Sequence, residues 1–398
     1  MTAEPSLRKA WKPGEPSEPR VENQGTVWRV RTVTAARQVL RARHLTTQAG
    51  FTAEAIPKGY LKHHPILISD GALHDEQRSK VARFFAPAVV AERYTAHMES
   101  CADALLDEAT ATGSCRLDEL ALYYSVEVTA DVVGLTNSPV RRMADRLVTF
   151  FNQPPFDITR PDLGRTPRQW AKAAFAGLVP VVRFYLADVR PAIRARRKRA
   201  SHDVISHLIA EGYTNADILV ECVTYGTAGM VTTREFIAMA AWHLLGNRPL
   251  RERYLVAGQA ERFAILNEII RLEPVVGHLY RRVQGAFDIT EGGGTFTVAK
   301  GDLIDVCVRP ANADAEAVGP EPLNLCPGRA LPSGVNPAVL TFGDGAHKCP
   351  GQPLAILESD VLLTRLLARN PRIVSEPTLA WDDLIEGYQL RGLVLQLG

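Results

Sequence analysis

A continuous helical pattern from Thr214 to about Leu245 constrains the fold of this chain more than any other sequence feature. The pair Thr214-x-x-Asp217 is a capping box that starts a helix, and Gly246 with Pro249 supplies a stop. The segment predicts a helix of roughly 30 residues, which spans about 45 Å at the α-helical rise. A helix this long and this apolar has to cross the centre of a domain.

Shorter helical patterns occupy most of the remaining chain. Apolar residues recur at spacings of three and four, as in amphipathic helices, over residues 35–43, 76–85, 91–110, 120–135, 168–199, 203–211 and 259–273. A last helix is expected after Pro350 and before Pro371. Residues 26–33 and parts of 280–308 have the alternation of strands, whereas 152–167 and 310–341 are rich in proline and turn residues.

These patterns predict a mainly α fold with small β-sheets. The chain has 398 residues, and neither an internal repeat nor a linker divides them. We therefore expect a single domain over residues 25–398. Residues 1–24 are polar and proline-rich, which predicts an irregular N-terminal arm.

Composition excludes several classes of protein. The formal net charge is only +2, so no global field attracts nucleic acid or a membrane, and the basic run at 190–199 is expected to be a solvated helix end. Six scattered cysteines without a CxxC pair argue against a zinc cluster and against a secreted disulfide framework. The N-terminus lacks the apolar segment of a signal peptide, and no apolar run reaches the roughly 18 residues of a membrane span. We expect a soluble, cytoplasmic protein.

The segment FGDGAHKCPGQPLA (342–355) carries the most specific chemistry, because its Cys349 stands immediately before a predicted helix start. The free N–H groups and partial positive charge at a helix N-terminus stabilise a thiolate. Gly343 and Gly351 remove side chains where a flat ligand would approach the backbone. A single cysteine in a cytosolic chain is more often an inert buried thiol. The combined spacing of phenylalanine, glycines, histidine and cysteine favours a ligand-binding loop instead.

This loop resembles the haem-binding loop of the cytochrome P450 family. The matching residues are Phe342, Gly343, Gly345, His347, Cys349 and Gly351, followed by Leu354 and Ala355. The resemblance implies the cytochrome P450 fold, with the long central helix over haem b (iron protoporphyrin IX) and Cys349 as the axial ligand to the iron. It extends over residues 26–398 and is loosest at 35–68 and 145–190, where the family builds its substrate pocket.

Two further groups of residues resemble supporting parts of the family site. Glu268 and Arg271 lie on one helix face, and the resemblance implies that Arg329 joins them in a buried structural ion network. The resemblance also implies that His74, Arg78, Arg281 and His347 hold the haem propionates, because cations and hydrogen-bond donors suit buried carboxylates. Without the haem loop, the segment containing His74 would be interpreted as a solvated polar face.

The central helix contains AGMVTT (228–233), in which Ala228, Gly229 and Thr232 resemble the family's dioxygen-binding segment. The glycine allows the helix to open beside a ligand, and Thr232 matches the threonine that hydrogen-bonds iron-bound dioxygen. Packing of small residues between helices is an equally ordinary reason for such a segment. The chain departs from the family at Val231, where the usual residue is an acid that relays protons. Neither Glu221 nor Glu235 is placed by a motif to replace it.

The resemblance therefore implies an oxidoreductase that activates dioxygen with electrons from a ferredoxin and a ferredoxin reductase. The expected substrate is a small apolar organic molecule in natural-product tailoring, and the expected state is a monomer. Because valine cannot relay protons, the reaction could be hydroxylation or an atypical oxidation such as coupling, desaturation or cyclisation. Two alternatives stay open: a haem-thiolate enzyme driven by peroxide or needing no external electrons, and a non-catalytic haem sensor or carrier.

Overall fold

The computed structural model describes residues 7–50, 63–151, 157–383 and 385–398. The α-helices are α1 Val33–Arg41, α2 Gly71–Phe85, α3 Pro87–Val89, α4 Thr95–Thr112, α5 Leu117–Val133, α6 Val140–Val148, α7 Pro167–Phe184, α8 Arg190–Lys198, α9 Val204–Ala210, α10 Asn215–Tyr225, α11 Thr232–Gly246, α12 Arg248–Val256, α13 Gln259–Leu272, α14 Val308–Ala311, α15 Ala315–Val318 and α16 Gln352–Ala368. The predicted mainly α fold is confirmed.

The strands are short and form small sheets at the side of the helices. They are β1 Val21–Gln24, β2 Val27–Val30, β3 Thr46–Ala49, β4 Ser114–Arg116, β5 His278–Val283, β6 Phe287–Glu291, β7 Gly294–Val298, β8 Leu303–Cys307, β9 Arg372–Ser375, β10 Thr378–Asp382, β11 Gly387–Arg391 and β12 Val394–Gln396. The largest sheet has the order β1-β2-β8-β5-β3, in which β2 and β8 are parallel and the other neighbours antiparallel.

The central helix predicted from the sequence is present as α10 and α11, joined by a π-helical segment, Gly226–Val231. Its capping box is formed as predicted: the Asp217 amide donates to Thr214 Oγ1, and the Thr214 amide donates to Asp217 Oδ2. The π segment packs against α5, where the Ser125 hydroxyl donates to the Met230 carbonyl at 2.7 Å. An extra residue per turn leaves carbonyl groups without their helical partners, and Ser125 satisfies one of them.

The helical core surrounds α11, which is buried on nearly every side. It packs against α5, α13 and α16, and its neighbours supply an almost continuous apolar cluster. This explains why α11 shows little amphipathicity: a helix in the middle of a domain has apolar neighbours all round. The buried charged and titratable residues of α11 are paired: Arg234 Nε donates to Glu235 Oε1 at 2.9 Å, and His243 Nε2 lies 2.8 Å from Glu273 Oε1.

The N-terminal arm is irregular over residues 7–20 but is anchored to the domain. Arg8 is buried and donates to the carbonyl oxygens of Leu272 at 2.8 Å and Arg309 at 3.0 Å. The arm predicted from the sequence is too long at its C-terminal end, because residues Val21–Gln24 form strand β1. The polar residues Glu22 and Asn23 interrupt the apolar pattern of a strand, so the sequence did not predict β1. The register of this edge strand is set by its pairing with β2.

The helix Pro167–Lys198, which joins α7 and α8 through a π segment, is long and apolar enough by composition to cross a membrane. From the sequence, no membrane-spanning segment is predicted. Most of this helix lies exposed on the outside of the domain, and it is held there by buried residues such as Phe184, Ala192 and Ile193. A single helix that meets these criteria of length and composition is weak evidence of a membrane span.

Candidate functional site

The loop that carries Cys349 is closed by backbone contacts just before α16. The Cys349 amide donates to the Phe342 carbonyl at 2.8 Å, which brings the two ends of the loop together. Gly345 has a φ of +69°, and a Cβ there would lie 2.2 Å from the Leu40 carbonyl oxygen in the last turn of α1. Only glycine fits such an approach of two backbones, so the glycine spacing noted in the sequence has a steric cause.

Cys349 is an exposed residue, but many protein atoms lie around its thiol, and this burial raises the pKa of the thiol. Such a combination is expected for a side chain on the wall of an enclosed cleft. Backbone N–H groups of Gly351 and Gln352, at the start of α16, and the cations Arg78 and Lys348 lower the pKa of Cys349 and oppose the burial effect. These are the surroundings that stabilise a thiolate ligand.

The central helix opens onto a cleft at its π segment. Ala228 is exposed and Gly229 and Thr232 are partly exposed, although the next two turns of α11 are almost completely buried. The Thr232 hydroxyl donates to the Ala228 carbonyl at 2.5 Å. Accessible residues in the middle of a helix that crosses the core indicate an internal cleft beside that helix. This fits the expectation that a flat cofactor lies under Ala228, Gly229 and Thr232.

Three of the four expected propionate ligands lie together. His74, Arg281 and His347 line one small pocket with Asp70, and the His74 and His347 rings lie 4.1 Å apart between centroids. The Arg281 guanidinium is buried and donates to Gln48 Oε1 at 2.6 Å and to the Tyr280 carbonyl at 2.8 Å. The structure therefore concentrates hydrogen-bond donors in a buried position.

The electrostatics of this pocket suit an anionic group. Burial lowers the pKa of Arg281 to about 10, and the charge of Asp70 opposes that effect. Burial also lowers the pKa of His74 to about 4, assisted by the charges of His347 and Arg78. Additional carboxylates would offset both burial effects, because a buried cation is stabilised by a paired anion. These residues therefore fit the two propionates of haem b.

Arg78 occupies a different position from the other three. It lies one turn after His74 on α2, as the spacing predicts, but its guanidinium donates to the Lys348 carbonyl next to Cys349. Burial lowers the pKa of Arg78, and the nearby Cys349 partly opposes that effect. In this structure, Arg78 supports the cysteine loop and does not line the pocket formed by His74, Arg281 and His347.

The predicted ion network behind the loop is confirmed. Arg271 donates to both carboxylate oxygens of Glu268 at 2.7 Å, and Arg329 Nε donates to Glu268 Oε1 at 3.1 Å. Arg271 also donates to the carbonyls of Asn312 and Pro322 at 2.8 Å. Because Glu268 and Arg271 are almost fully buried, these contacts fix the irregular segment 310–341 that precedes the cysteine loop.

Two acids near the central helix, Glu235 and Glu221, differ in how far their carboxylates are already paired. Val231 is buried and offers no polar group. Glu235 accepts hydrogen bonds from Arg234, from Arg391 at 2.8 Å and from the Leu390 amide at 2.8 Å, so it serves a structural ion cluster. Glu221, about three helical turns before Thr232, accepts from the Ile66 amide at 2.9 Å through Oε1 only. Its Oε2 is buried without a hydrogen-bond partner among the described residues, and burial raises the pKa of Glu221 to about 7.

Sequence reasoning missed two acidic residues, the buried Glu358 and the half-buried Asp70. Glu358 lies on α16 beside Thr233 of the central helix, and burial raises its pKa to about 8. Its signal in the sequence is an acid inside an apolar helical stripe, which is rare without a specific role. Asp70 accepts hydrogen bonds from His347 at 3.0 Å and from the Gln48 amide at 3.1 Å. It opens the segment 70–85 that contains His74 and Arg78, but only the cations of that segment were assigned a role from the sequence.

Comparisons with known proteins agree on one family. The family described as "Cytochrome P450" matches residues 263–370 of this chain. "Cytochrome P450 130" of Mycobacterium tuberculosis is 27% identical over 340 residues, which cover 80% of this chain and 74% of that protein. "Nocardicin C N-oxygenase" of Nocardia uniformis is 27% identical over 328 residues, with 80% and 74% covered. The solved structure of a mutant of P450 EryK with erythromycin B has a TM-score of 0.77 at 19% identity and covers 96% and 93% of the two chains.

Proposed function

We propose how the residues of this chain serve the chemistry of the cytochrome P450 family of haem-thiolate monooxygenases. The chain belongs to that family, and its cofactor is haem b. The Cys349 thiolate would bind the haem iron. His74, Arg281 and His347 would hold the propionates, and Phe342, Gly343 and Gly351 would shape the loop that carries Cys349. The observation that carries this assignment is the convergence of a thiol at a helix start and a buried group of cations.

Bound haem b supplies the site at which dioxygen is activated. The protein supplies a thiolate held by the Gly351 and Gln352 amides and a hydroxyl at Thr232 that holds a proton beside the cleft. Ala228 and Gly229 present little or no side chain there, which leaves room for dioxygen and substrate next to the helix. Arg78 keeps the cysteine loop in register through the Lys348 carbonyl.

The proposed enzyme is a cytoplasmic monomer that takes electrons from an acidic ferredoxin and its reductase. Arg37, Arg41 and Lys348 line a surface groove beside the cysteine loop. Arg37 and Arg41 both pair with Asp344, which orients their side chains at the surface. Complementary charge at such a groove would speed the encounter with an acidic partner. Lys80 is a poor candidate for this contact, because Glu76 and Glu211 already pair with it.

The proposed substrate is a small apolar organic molecule, and the proposed role is natural-product tailoring. One relative is named an N-oxygenase of nocardicin C, and one structural neighbour was solved with erythromycin B. The accessible positions of the π segment and the helix start after it include Ala228, Gly229 and Thr232, which carry no charge, so this wall of the cleft suits an apolar substrate.

Oxygen uptake by the purified haem protein, driven by ferredoxin, ferredoxin reductase and NADH, tests this function. Uptake coupled to oxidation of an apolar substrate is expected. Product formed with hydrogen peroxide alone, and not with the ferredoxin system, would support the peroxide-driven alternative. A haem protein that takes up no oxygen with any electron donor would be a sensor or carrier.

Val231 favours an altered proton supply and hence an atypical oxidation. The position beside Thr232 is buried and apolar, and the nearby Glu235 is held by two arginines and an amide. Val231→Asp should restore a proton donor and change the product distribution or the product formed per NADH. Val231→Asn is the matched control, because it has nearly the same shape and cannot ionise. Identical products and coupling in all three proteins would contradict this proposal.

A further inference from the structure

Three residues with metal-binding side chains meet on one face of the largest sheet, away from the cysteine loop. His278 in β5 and Cys307 in β8 are direct partners across an antiparallel pair. Asp305 precedes Cys307 by two residues and therefore points to the same face. Ligand atoms of the three side chains all lie within 4.8 Å of one another. Arg281 lies three residues after His278 and so points to the opposite face.

The cluster is enclosed and has a fourth member from the N-terminal arm. Asp305 and Cys307 are buried, and His278 is largely buried. His278 Nδ1 lies 2.7 Å from Asp305 Oδ1, and His278 Nε2 lies 3.5 Å from Glu15 Oε1. Glu15 Oε1 is buried without a hydrogen-bond partner among the described residues, while Arg309 donates to its other oxygen at 2.7 Å.

We propose that His278, Asp305 and Cys307 bind one zinc ion, with Glu15 orienting the imidazole. Nitrogen, thiolate sulfur and carboxylate oxygen are the ligands that zinc takes in proteins, and three of them with an added water complete a tetrahedron. Nδ1 of His278 would bind the metal, and its Nε2–H would donate to Glu15 Oε1. A carboxylate behind a metal-bound histidine is the usual second contact of such a ligand.

The surroundings favour a cation at this point. A carboxylate faces each nitrogen of His278, with Asp305 Oδ1 at 2.7 Å from Nδ1 and Glu15 Oε1 at 3.5 Å from Nε2, and this concentration of negative charge attracts a metal ion. With zinc bound, three anionic groups from Cys307, Asp305 and Glu15 would offset the metal and the Arg309 guanidinium, while the partly exposed Arg29 lies 3.9 Å from Asp305 at the edge of the cluster. Binding requires a modest shift, since a nitrogen and an oxygen on one tetrahedral zinc lie about 3.3 Å apart.

The competing state is a metal-free ion network, in which a protonated His278 lies between two carboxylates. The two states differ in what they do with Cys307. In the metal-free network, Cys307 is a neutral thiol whose pKa is raised by burial and by Asp305. With zinc bound, it is a thiolate ligand and zinc retention depends on it. The metal would also tie the N-terminal arm to the sheet through Glu15.

Zinc content of the haem-loaded protein tests the site. The protein is stripped with a chelator, given one equivalent of zinc sulfate, passed over a desalting column, and analysed for zinc and iron by mass spectrometry. One zinc per chain is expected, with X-ray absorption at the zinc edge showing one sulfur at about 2.3 Å. Cys307→Ser and Asp305→Asn should each weaken zinc binding at least tenfold, and Glu15→Gln by roughly 10–100-fold. Two independent ligand variants protect the test against one that fails to fold.

Cys326→Ser is the matched control, because Cys326 is exposed and lies outside the cluster. It should leave zinc retention unchanged. Iron content and the haem absorbance should be equal in all variants, which separates this site from the cysteine loop. Wild-type protein that retains no zinc, or zinc retention that survives both Cys307→Ser and Asp305→Asn, would overturn the proposal.

Discussion

The Thr232 hydroxyl donates a hydrogen bond to the Ala228 carbonyl oxygen at 2.5 Å, at the end of the π segment of the central helix. The bond holds the hydroxyl oxygen in place on the accessible side of a helix that is otherwise buried. A threonine in this arrangement can release its carbonyl bond and donate to a ligand in the cleft instead. The Thr232 hydroxyl is thus a donor with two possible acceptors, the Ala228 carbonyl and a ligand in the cleft.

Replacement of Thr232 by alanine should uncouple electron use from product formation. Without the hydroxyl, proton delivery beside Val231 loses its nearest polar group, so product formation should fall about tenfold or more while hydrogen peroxide release rises. The measurement is product and peroxide formed per NADH. Thr227→Ala is the control, because Thr227 makes the same kind of bond to the Val223 carbonyl at 2.8 Å. Equal coupling in both variants would show that Thr232 is only structural.

Replacement of Arg281 by leucine should weaken retention of haem. A charge-assisted hydrogen bond contributes about 1.5–3 kcal/mol, so the haem should leave roughly ten to a hundred times faster. Haem transfer to excess apomyoglobin, followed by absorbance, measures this rate without any assay of activity. Arg282→Leu is the matched control, because the neighbouring strand residue points to the other face of β5. Equal transfer rates for both variants would refute the role of Arg281.

The sequence predicted those parts of the fold that rest on local signals. The capping box at Thr214 placed the start of the central helix within one residue, and the spacing of Glu268 and Arg271 placed a buried ion pair. Both depend on residues a few positions apart. The bond from Ser125 to the Met230 carbonyl joins residues 105 positions apart. The π segment was therefore predicted only as a general opening at glycine.

The candidate site shows the same division between local and distant contacts. His74 and Arg78 share a helix face as predicted, but their partners come from a distant loop, and this sends Arg78 to the Lys348 carbonyl. The pairing of His278 with Cys307 follows from strand register, which no local pattern fixes. A sequence search limited to neighbouring cysteines and histidines cannot find such a cluster.

Glu358 should make the protein less stable as the pH rises. Its pKa is raised to about 8 in the folded protein against 4.5 in the unfolded chain, so the folded state binds the extra proton. Stability from this group is complete below pH 4.5 and is lost as the pH rises through 8, by a few kcal/mol in order of magnitude. Glu358→Gln stays neutral and should flatten the dependence between pH 5 and 8 in denaturant unfolding. The control Glu92→Gln changes an exposed residue and should retain the wild-type slope, and an equal slope in Glu358→Gln would contradict the prediction.

The carbon monoxide difference spectrum of the reduced protein tests the central claim most directly. Haem bound through the Cys349 thiolate predicts the strongly red-shifted Soret band that distinguishes thiolate-ligated haem. That band should be lost in Cys349→Ser and retained in Cys326→Ser, whose exposed thiol lies outside the loop. A red-shifted band that survives Cys349→Ser, or a wild-type protein that binds haem without such a band, would contradict the assignment of Cys349 as the axial ligand.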